Sequence, residues 1–285
     1  MKKALLVNDL AGIGKITLHT ASPLFSISQI ETALLLTTIL SSHTGGFTNI
    51  YKDNYTEGMQ QFLAQWMDLE LNFDAVVTGY FSENKQIDLL RDYLEKKLPN
   101  CPLIVDPVMA DNGRLYQGFE QTYIHKLKEL VAKANLVLPN ITEACFLTDT
   151  VYRKEGIDER YLEDLSQKLI DLGAKKVVLT GIPFSDTIIG MSYYDATTQE
   201  LHYYQEEKIG GHFTGTGDLM TTLLAICHIK GLPLEKAIPN MMTWMNQTLR
   251  YTLTHQTDLR MGILYEPFIL ELVGIINQLL KENVS

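Results

Sequence analysis

Short runs that are apolar at nearly every position alternate with longer stretches in which apolar residues recur every three or four positions. The short runs, residues 3–7, 33–40, 75–78, 103–105, 136–138 and 176–179, predict strands covered on both faces, because a strand with one wet face alternates apolar and polar side chains. The longer stretches, at about 57–71, 83–98, 122–134 and 159–172, predict helices. Such alternation builds a mainly parallel sheet with helices on both faces. The last third differs: 188–194 and 200–206 predict an antiparallel hairpin around Asp195-Ala196-Thr197-Thr198, and helices follow at about 217–230, 234–253 and 266–281. No repeat or Pro/Ser-rich linker divides the chain, so residues 1–285 are expected to form a single α/β domain.

Open α/β sheets bind ligands beyond the carboxyl ends of their strands, which directs attention to the polar residues after each run. These are Asn8 and Asp9, then Ser42-His43-Thr44-Gly45-Gly46, Gly79-Tyr80, Asp106-Pro107, Pro139-Asn140 and Thr180-Gly181. Any one of them is an ordinary turn; together they converge on one rim. Asp106, with Asp111 five residues on and Asn112-Gly113 as a turn, offers acids that could attract Mg²⁺ through its waters, or a solvated turn. In the Pro139–Glu143 segment Asn140 or Thr142 caps a helix, Thr142 being the expected cap, and Glu143 either closes that cap or faces a metal. His43 is a hydrogen-bonded structural group or a catalyst, and Tyr80 stacks on a planar ring or simply packs.

Gly215-Thr216-Gly217-Asp218 opens the helix expected at 217–230. Two glycines let backbone approach a ligand, unpaired N–H groups at a helix start carry roughly half a positive charge, and a carboxylate beside them could take a proton from a hydroxyl group. A plain helix start is the alternative. Gly12-Ile13-Gly14-Lys15-Ile16-Thr17 is neither a P-loop nor a dinucleotide fingerprint, since the glycine before Gly14 is only two positions away and a third glycine is missing. It is read as the entry to the first helix.

Composition narrows the partners. With 34 acidic and 24 basic residues, a net charge of −10 argues against gripping nucleic acid or an anionic membrane. Cys101, Cys145 and Cys227 form no C-x-x-C pair, so neither a disulfide framework nor a structural zinc site is expected, and a reducing cytoplasm fits. Asn8 and Asp9 end the apolar start too early for a signal peptide, and no apolar stretch approaches the roughly 20 residues that span a bilayer.

The order and spacing of Asn8-Asp9, Ser42-His43-Thr44-Gly45-Gly46, Thr78-Gly79-Tyr80, Asp106-Pro107-Val108-Met109 with Asp111, Pro139-Asn140-x-Thr142-Glu143 and Gly215-Thr216-Gly217-Asp218 resemble those of the pyridoxal kinases. The resemblance implies a ribokinase-like three-layer α/β/α sandwich and ATP-dependent phosphorylation of the 5′-hydroxymethyl group of pyridoxal, pyridoxine or pyridoxamine. It implies that Asp218 is the general base and that Gly215, Thr216 and Gly217 form an anion hole. Asp106, Asp111 and Glu143 would serve Mg²⁺ and its waters, while Asn140, Thr180, Gly181 and Tyr116 would lie along ATP, with 111–119 as a flap. Asn8, Asp9, His43, Thr44 and Tyr80 would hold the vitamer, a monovalent cation could assist, and the family is usually homodimeric. Two positions depart from the pattern: Asn8 stands where many pyridoxal kinases carry Ser, and His212 where many ribokinase-like proteins have Asp. Hydroxymethylpyrimidine kinases of thiamine synthesis share most of these features and are the alternative.

Overall fold

The structure, a computed structural model, describes residues 1–284. The apolar runs become β1 (Lys2–Ile13), β2 (Ile30–Ser42), β4 (Ala75–Thr78), β5 (Leu103–Val105), β8 (Leu136–Val137) and β9 (Lys176–Pro183), which lie side by side and parallel. Antiparallel strands flank them: β3 (Lys52–Asn54) on one edge, β10 (Ile188–Asp195) and β11 (Glu200–Glu207) on the other. The resulting nine-stranded sheet has the order β11-β10-β9-β8-β5-β4-β1-β2-β3. A separate ribbon, β6 (Ala110–Asp111) and β7 (Arg114–Leu115), turns through Asn112 and Gly113, both with positive φ as a two-residue hairpin turn requires.

Alternating residues of β1 show why the strands carry no polar face. Ala4 and Leu6 enter one core with α1 (Thr17–Ile27), α7 (Thr216–Ile229), α8 (Leu234–His255) and α9 (Ile269–Val284). Leu5 and Val7 enter the other, with α2 (Thr56–Met67), α3 (Asn84–Lys97), α4 (Gln121–Val131), α5 (Ile141–Thr148) and α6 (Glu159–Leu172). Each fully buried aliphatic side chain contributes about 1.5–3 kcal/mol, so both layers are held by the same apolar strands. The expected three-layer sandwich is present.

Several boundaries differ from the sequence reading. β1 does not stop at Val7: it runs to Ile13, with Asn8 paired to Leu36 and Leu10 to Ile39, so the register slips at Asp9. The extra residue belongs to β2, where Thr37 and Thr38 stand opposite the single Asp9, and this bulge lets β1 stay paired past its two polar residues. β9 likewise continues past Leu179 through Thr180 and Gly181. The helix expected from 266 begins at Ile269, because Glu266–Phe268, with a proline in its first turn, forms a single 3₁₀ turn.

Candidate active site

The strand order reverses at β1, which has β2 on one side and β4 on the other, and the crevice between the carboxyl ends of β1 and β4 is the topological switch point. Asn8 spans it. Its Oδ1 accepts hydrogen bonds from the backbone N–H of Tyr80 at 2.8 Å and of Asp9 at 2.9 Å, tying the two strand ends together. Asp9, buried at the bulge, is pushed up to about 7 by burial and then by the charge of Asp218.

Asp218 stands in the first turn of α7. Gly215 caps that helix at φ 85°, and a Cβ there would lie 2.7 Å from the Lys15 carbonyl oxygen, so only glycine lets the helix start so close to the β1–α1 turn. A Cβ on Gly217 would meet nothing within 4 Å. The Gly217 backbone therefore faces open space at a helix N-terminus, where N–H groups attract anions. Burial raises Asp218 to about 6, opposed by the backbone N–H of Thr17. Thr221, one turn along the same helix, donates from Oγ1 to Asp106 Oδ2 at 2.6 Å.

Asp106 and Glu143 form the second acidic pair. Asp106 is buried and held well above the usual carboxylate range, by burial first and then by Glu143. Glu143, raised to about 7 mainly by burial, accepts from Met109 N–H at 3.1 Å with Oε1 and from Asn140 N–H at 2.9 Å with Oε2. Asn140, not Thr142, caps α5: its Oδ1 accepts from Glu143 N–H while Glu143 closes the box. Thr142 instead accepts from Gly113 N–H at 3.0 Å and steadies the flap turn. The Asn140 amide donates to the Ala110 carbonyl at 2.9 Å, and the Thr180 N–H to Pro139, so these two candidate phosphate contacts adjoin at the ends of β8 and β9 beside Gly181.

The acids fit a divalent cation held through water better than a direct cage. Among the described residues no group of three or more His, Cys, Asp or Glu side chains converges as ligands. Both Glu143 oxygens are bonded to backbone, and Asp111 turns Oδ1 and Oδ2 onto Asn112. Asp106 uses only Oδ2 toward Thr221. Paired buried acids that repel one another are the charge a hydrated Mg²⁺ relieves. Tyr116 is 43% exposed on the flap, and burial raises its hydroxyl pKa, with Glu143 next.

On the other side of Asp218 the two ring nitrogens of His43 are taken by backbone: Nδ1 accepts from Gly45 N–H at 3.0 Å and Nε2 donates to the Arg260 carbonyl at 2.6 Å. His43 therefore shapes the loop that carries exposed Thr44. Tyr80 lies between Lys52, whose Nζ donates to its hydroxyl at 3.2 Å, and Phe119 of the flap, 5.8 Å between ring centres.

Sequence reading passed over Lys52, Thr221 and Arg260, and read Thr17 only as part of the entry to the first helix. Thr221 had a signal, three residues after Asp218 on one helix face. Arg260 had none: its guanidinium donates to the Gly46 carbonyl at 2.8 Å across more than two hundred residues of chain.

Residues 24–262 match the family described as phosphomethylpyrimidine kinase. The pyridoxal kinase of Dictyostelium discoideum is 31% identical over 201 residues, 63% of this chain and 64% of that protein; the chain thus spans just under two thirds of that curated relative's length. A Bacteroides thetaiotaomicron protein named after phosphomethylpyrimidine kinase and crystallised with pyridoxal superposes with a TM-score of 0.89 at 30% identity, covering 95% of each chain. The pyridoxal kinase of Lactobacillus plantarum superposes with a TM-score of 0.89 at 28% identity, covering 98% of this chain and 99% of its own.

Proposed function

We propose, since this chain belongs to the phosphomethylpyrimidine kinase family and is similar to a pyridoxal kinase along nearly its whole length, that it transfers the γ-phosphoryl group of ATP to the 5′-hydroxymethyl group of a B6 vitamer. The observation that carries this reading is Asp218, half-buried beside the open backbone of Gly217 at the start of α7 and held ionisable near neutral pH. In the transfer the substrate oxygen bonds to the γ-phosphorus as the bond to the ADP oxygen breaks, and the hydroxyl proton passes to the Asp218 carboxylate. Phosphoryl transfer has a loose transition state, so positioning and charge stabilisation supply most of the rate.

The Gly215–Gly217 amides receive the transferring group, while Asn140, Thr180 and Gly181 at the ends of β8 and β9, with Tyr116 on the flap, line the ATP side. Asp106 and Glu143, with Asp111 nearby, would hold Mg²⁺ through its waters, and the ion would neutralise phosphate charge. Asn8, Asp9, Thr44 and Tyr80 line the vitamer side, with His43 shaping the Thr44 loop. The same reading carries a cytoplasmic homodimer, with a monovalent cation as a further aid. Similarity to a protein crystallised with pyridoxal favours B6 vitamers; the family description keeps hydroxymethylpyrimidine as the second substrate class.

A coupled assay for ADP with pyridoxal, pyridoxine, pyridoxamine, hydroxymethylpyrimidine and ribose decides between them. Turnover on the B6 vitamers is expected. Turnover on hydroxymethylpyrimidine alone transfers the assignment to thiamine synthesis, and no ADP with any alcohol overturns the kinase reading.

A further inference from the structure

The N–H and the carbonyl of Tyr80 are held from two different strands. The N–H donates to Asn8 Oδ1 in β1 at 2.8 Å, and the carbonyl accepts from Thr37 Oγ1 in β2 at 2.7 Å. The two peptide planes that meet at the Tyr80 Cα are therefore both pinned, which fixes φ and ψ and with them the direction in which the ring leaves the backbone. Thr37 is one of the two residues that stand opposite Asp9 at the bulge of β2. Bulges re-aim side chains beside sites, and the stiff χ1 of a β-branched residue makes the aim of the Thr37 hydroxyl definite. Thr37 is itself anchored: it is fully buried, and its carbonyl accepts from the Tyr55 N–H at 3.0 Å and from Gln86 Nε2 at 2.6 Å. Gln86, also fully buried, accepts with Oε1 from the Ser82 N–H at 2.9 Å, two residues beyond Tyr80, and donates from Nε2 to Asn54 Oδ1 at 2.9 Å at the end of β3. One network thus joins the bulge, the strand that carries Lys52 and the loop that carries Tyr80.

We infer that Thr37 is a positioning residue: the bulge of β2 turns its hydroxyl onto the Tyr80 carbonyl, and this bond, with the one from the Tyr80 N–H to Asn8, holds the Tyr80 ring at the crevice between β1 and β4 where the ligand sits. The inference rests on the kinase reading only for the identity of that ligand. The ring's own partners come from two surface segments, Lys52 from exposed β3 and Phe119 from the flap. Thr37 and Gln86 hold its backbone from the buried side instead. Without the Thr37 hydroxyl the Tyr80 carbonyl is free to turn, and the ring turns with it. Asp218 and the glycines before α7 take no part in this network, so the loss falls on ligand binding and not on phosphoryl transfer.

Thr37→Val keeps the branched shape and removes the hydroxyl, whereas Thr37→Ser keeps the hydroxyl. For Thr37→Val the expected result is pyridoxal binding weaker by about tenfold in calorimetry, the usual size of one lost hydrogen bond, and a KM for pyridoxal raised to match. The KM for ATP and kcat at saturating pyridoxal should stay within about twofold of wild type. Thr37→Ser retains most of the wild-type affinity. A double-mutant cycle reads the action through Tyr80: in a Tyr80→Ala background, Thr37→Val should weaken pyridoxal binding by less than about twofold further. Hydrogen exchange in the ligand-free protein reads the clamp without any ligand, the Tyr80 amide of Thr37→Val exchanging about tenfold faster relative to the amides of β9. A wild-type protein that binds no vitamer defeats the kinase reading and leaves the exchange result to decide the inference. Wild-type pyridoxal affinity in Thr37→Val overturns the inference, as does an undiminished loss in the Tyr80→Ala background or an unchanged exchange of the Tyr80 amide. Should Thr37→Val not fold, Thr37→Ala, which lacks the hydroxyl and fills less space, is held to the same outcomes.

Discussion

Glu143 and Met109 are joined at 3.1 Å by a hydrogen bond from the Met109 backbone N–H to Glu143 Oε1, while the other carboxylate oxygen closes the cap of α5. One side chain thus starts a helix and anchors the segment after Asp106. Its raised pKa follows from this position, since the carboxylate is buried for structural reasons among backbone donors that only in part offset the loss of water.

Glu143→Gln replaces an acceptor with an amide that must point its NH₂ at a backbone N–H. A buried donor left unmatched costs about 1–3 kcal/mol. Urea unfolding should register that loss, and kcat should fall with it because the Asp106 and flap segments lose a common anchor. Unchanged stability with reduced kcat would instead mark Glu143 as purely a metal-water ligand.

Asp218→Asn keeps the shape and removes the base. kcat is expected to drop by about 10²–10⁴-fold with the fold intact. In the wild-type protein the base works only when ionised, so kcat should fall as pH drops through about 6. Near-normal turnover by the variant, or a flat acid limb in the wild type, contradicts this role.

Asp9 has a folded pKa raised from 3.8 to about 7, so the folded state holds its proton more tightly than the unfolded chain does. The stability this gives is present below pH 4 and is lost as pH rises to 7, above which the buried charge is a cost. Asp9→Asn removes that cost. The variant should be more stable than wild type at pH 8 by about 2–4 kcal/mol, a gain that vanishes near pH 4, in thermal melts of the ligand-free protein. Weaker vitamer binding should accompany it.

The sheet was legible because its strands are apolar on both faces, a signal that survives without any partner in view: Ala4 and Leu6 point one way, Leu5 and Val7 the other, and all four are needed in the core. The strand ends were less legible. A bulge in β2 opposite Asp9 keeps β1 paired past two polar residues that, in sequence, look like a stop. Thr142 was the expected cap, yet Asn140 takes that role with Glu143 three residues on closing the box, and the Thr142 hydroxyl goes to the turn at Gly113. His43 was visible as a polar residue before two glycines. That its ring is spent on Gly45 and on Arg260 depends on a contact made by a distant segment, which no local pattern encodes.

Gly215 and Gly217 stand two residues apart and should respond in opposite ways to alanine. Gly215 has φ 85° and the Lys15 carbonyl 2.7 Å from an added Cβ, so Gly215→Ala is strained twice and should lose about 1–3 kcal/mol or more of stability. Gly217 is helical with open space around it, so Gly217→Ala should leave stability unchanged or raise it by up to about 1 kcal/mol, the usual difference between the two residues in a helix. That open space is where the transferring phosphoryl group must come, and a methyl group there blocks its approach to the amides. Turnover by Gly217→Ala should therefore fall by about 10²-fold or more, as when an oxyanion-hole donor is lost. Thermal melts and kcat measured on the two variants together separate a glycine required for folding from one required for phosphate. An active Gly217→Ala protein would show that the phosphoryl group is received elsewhere.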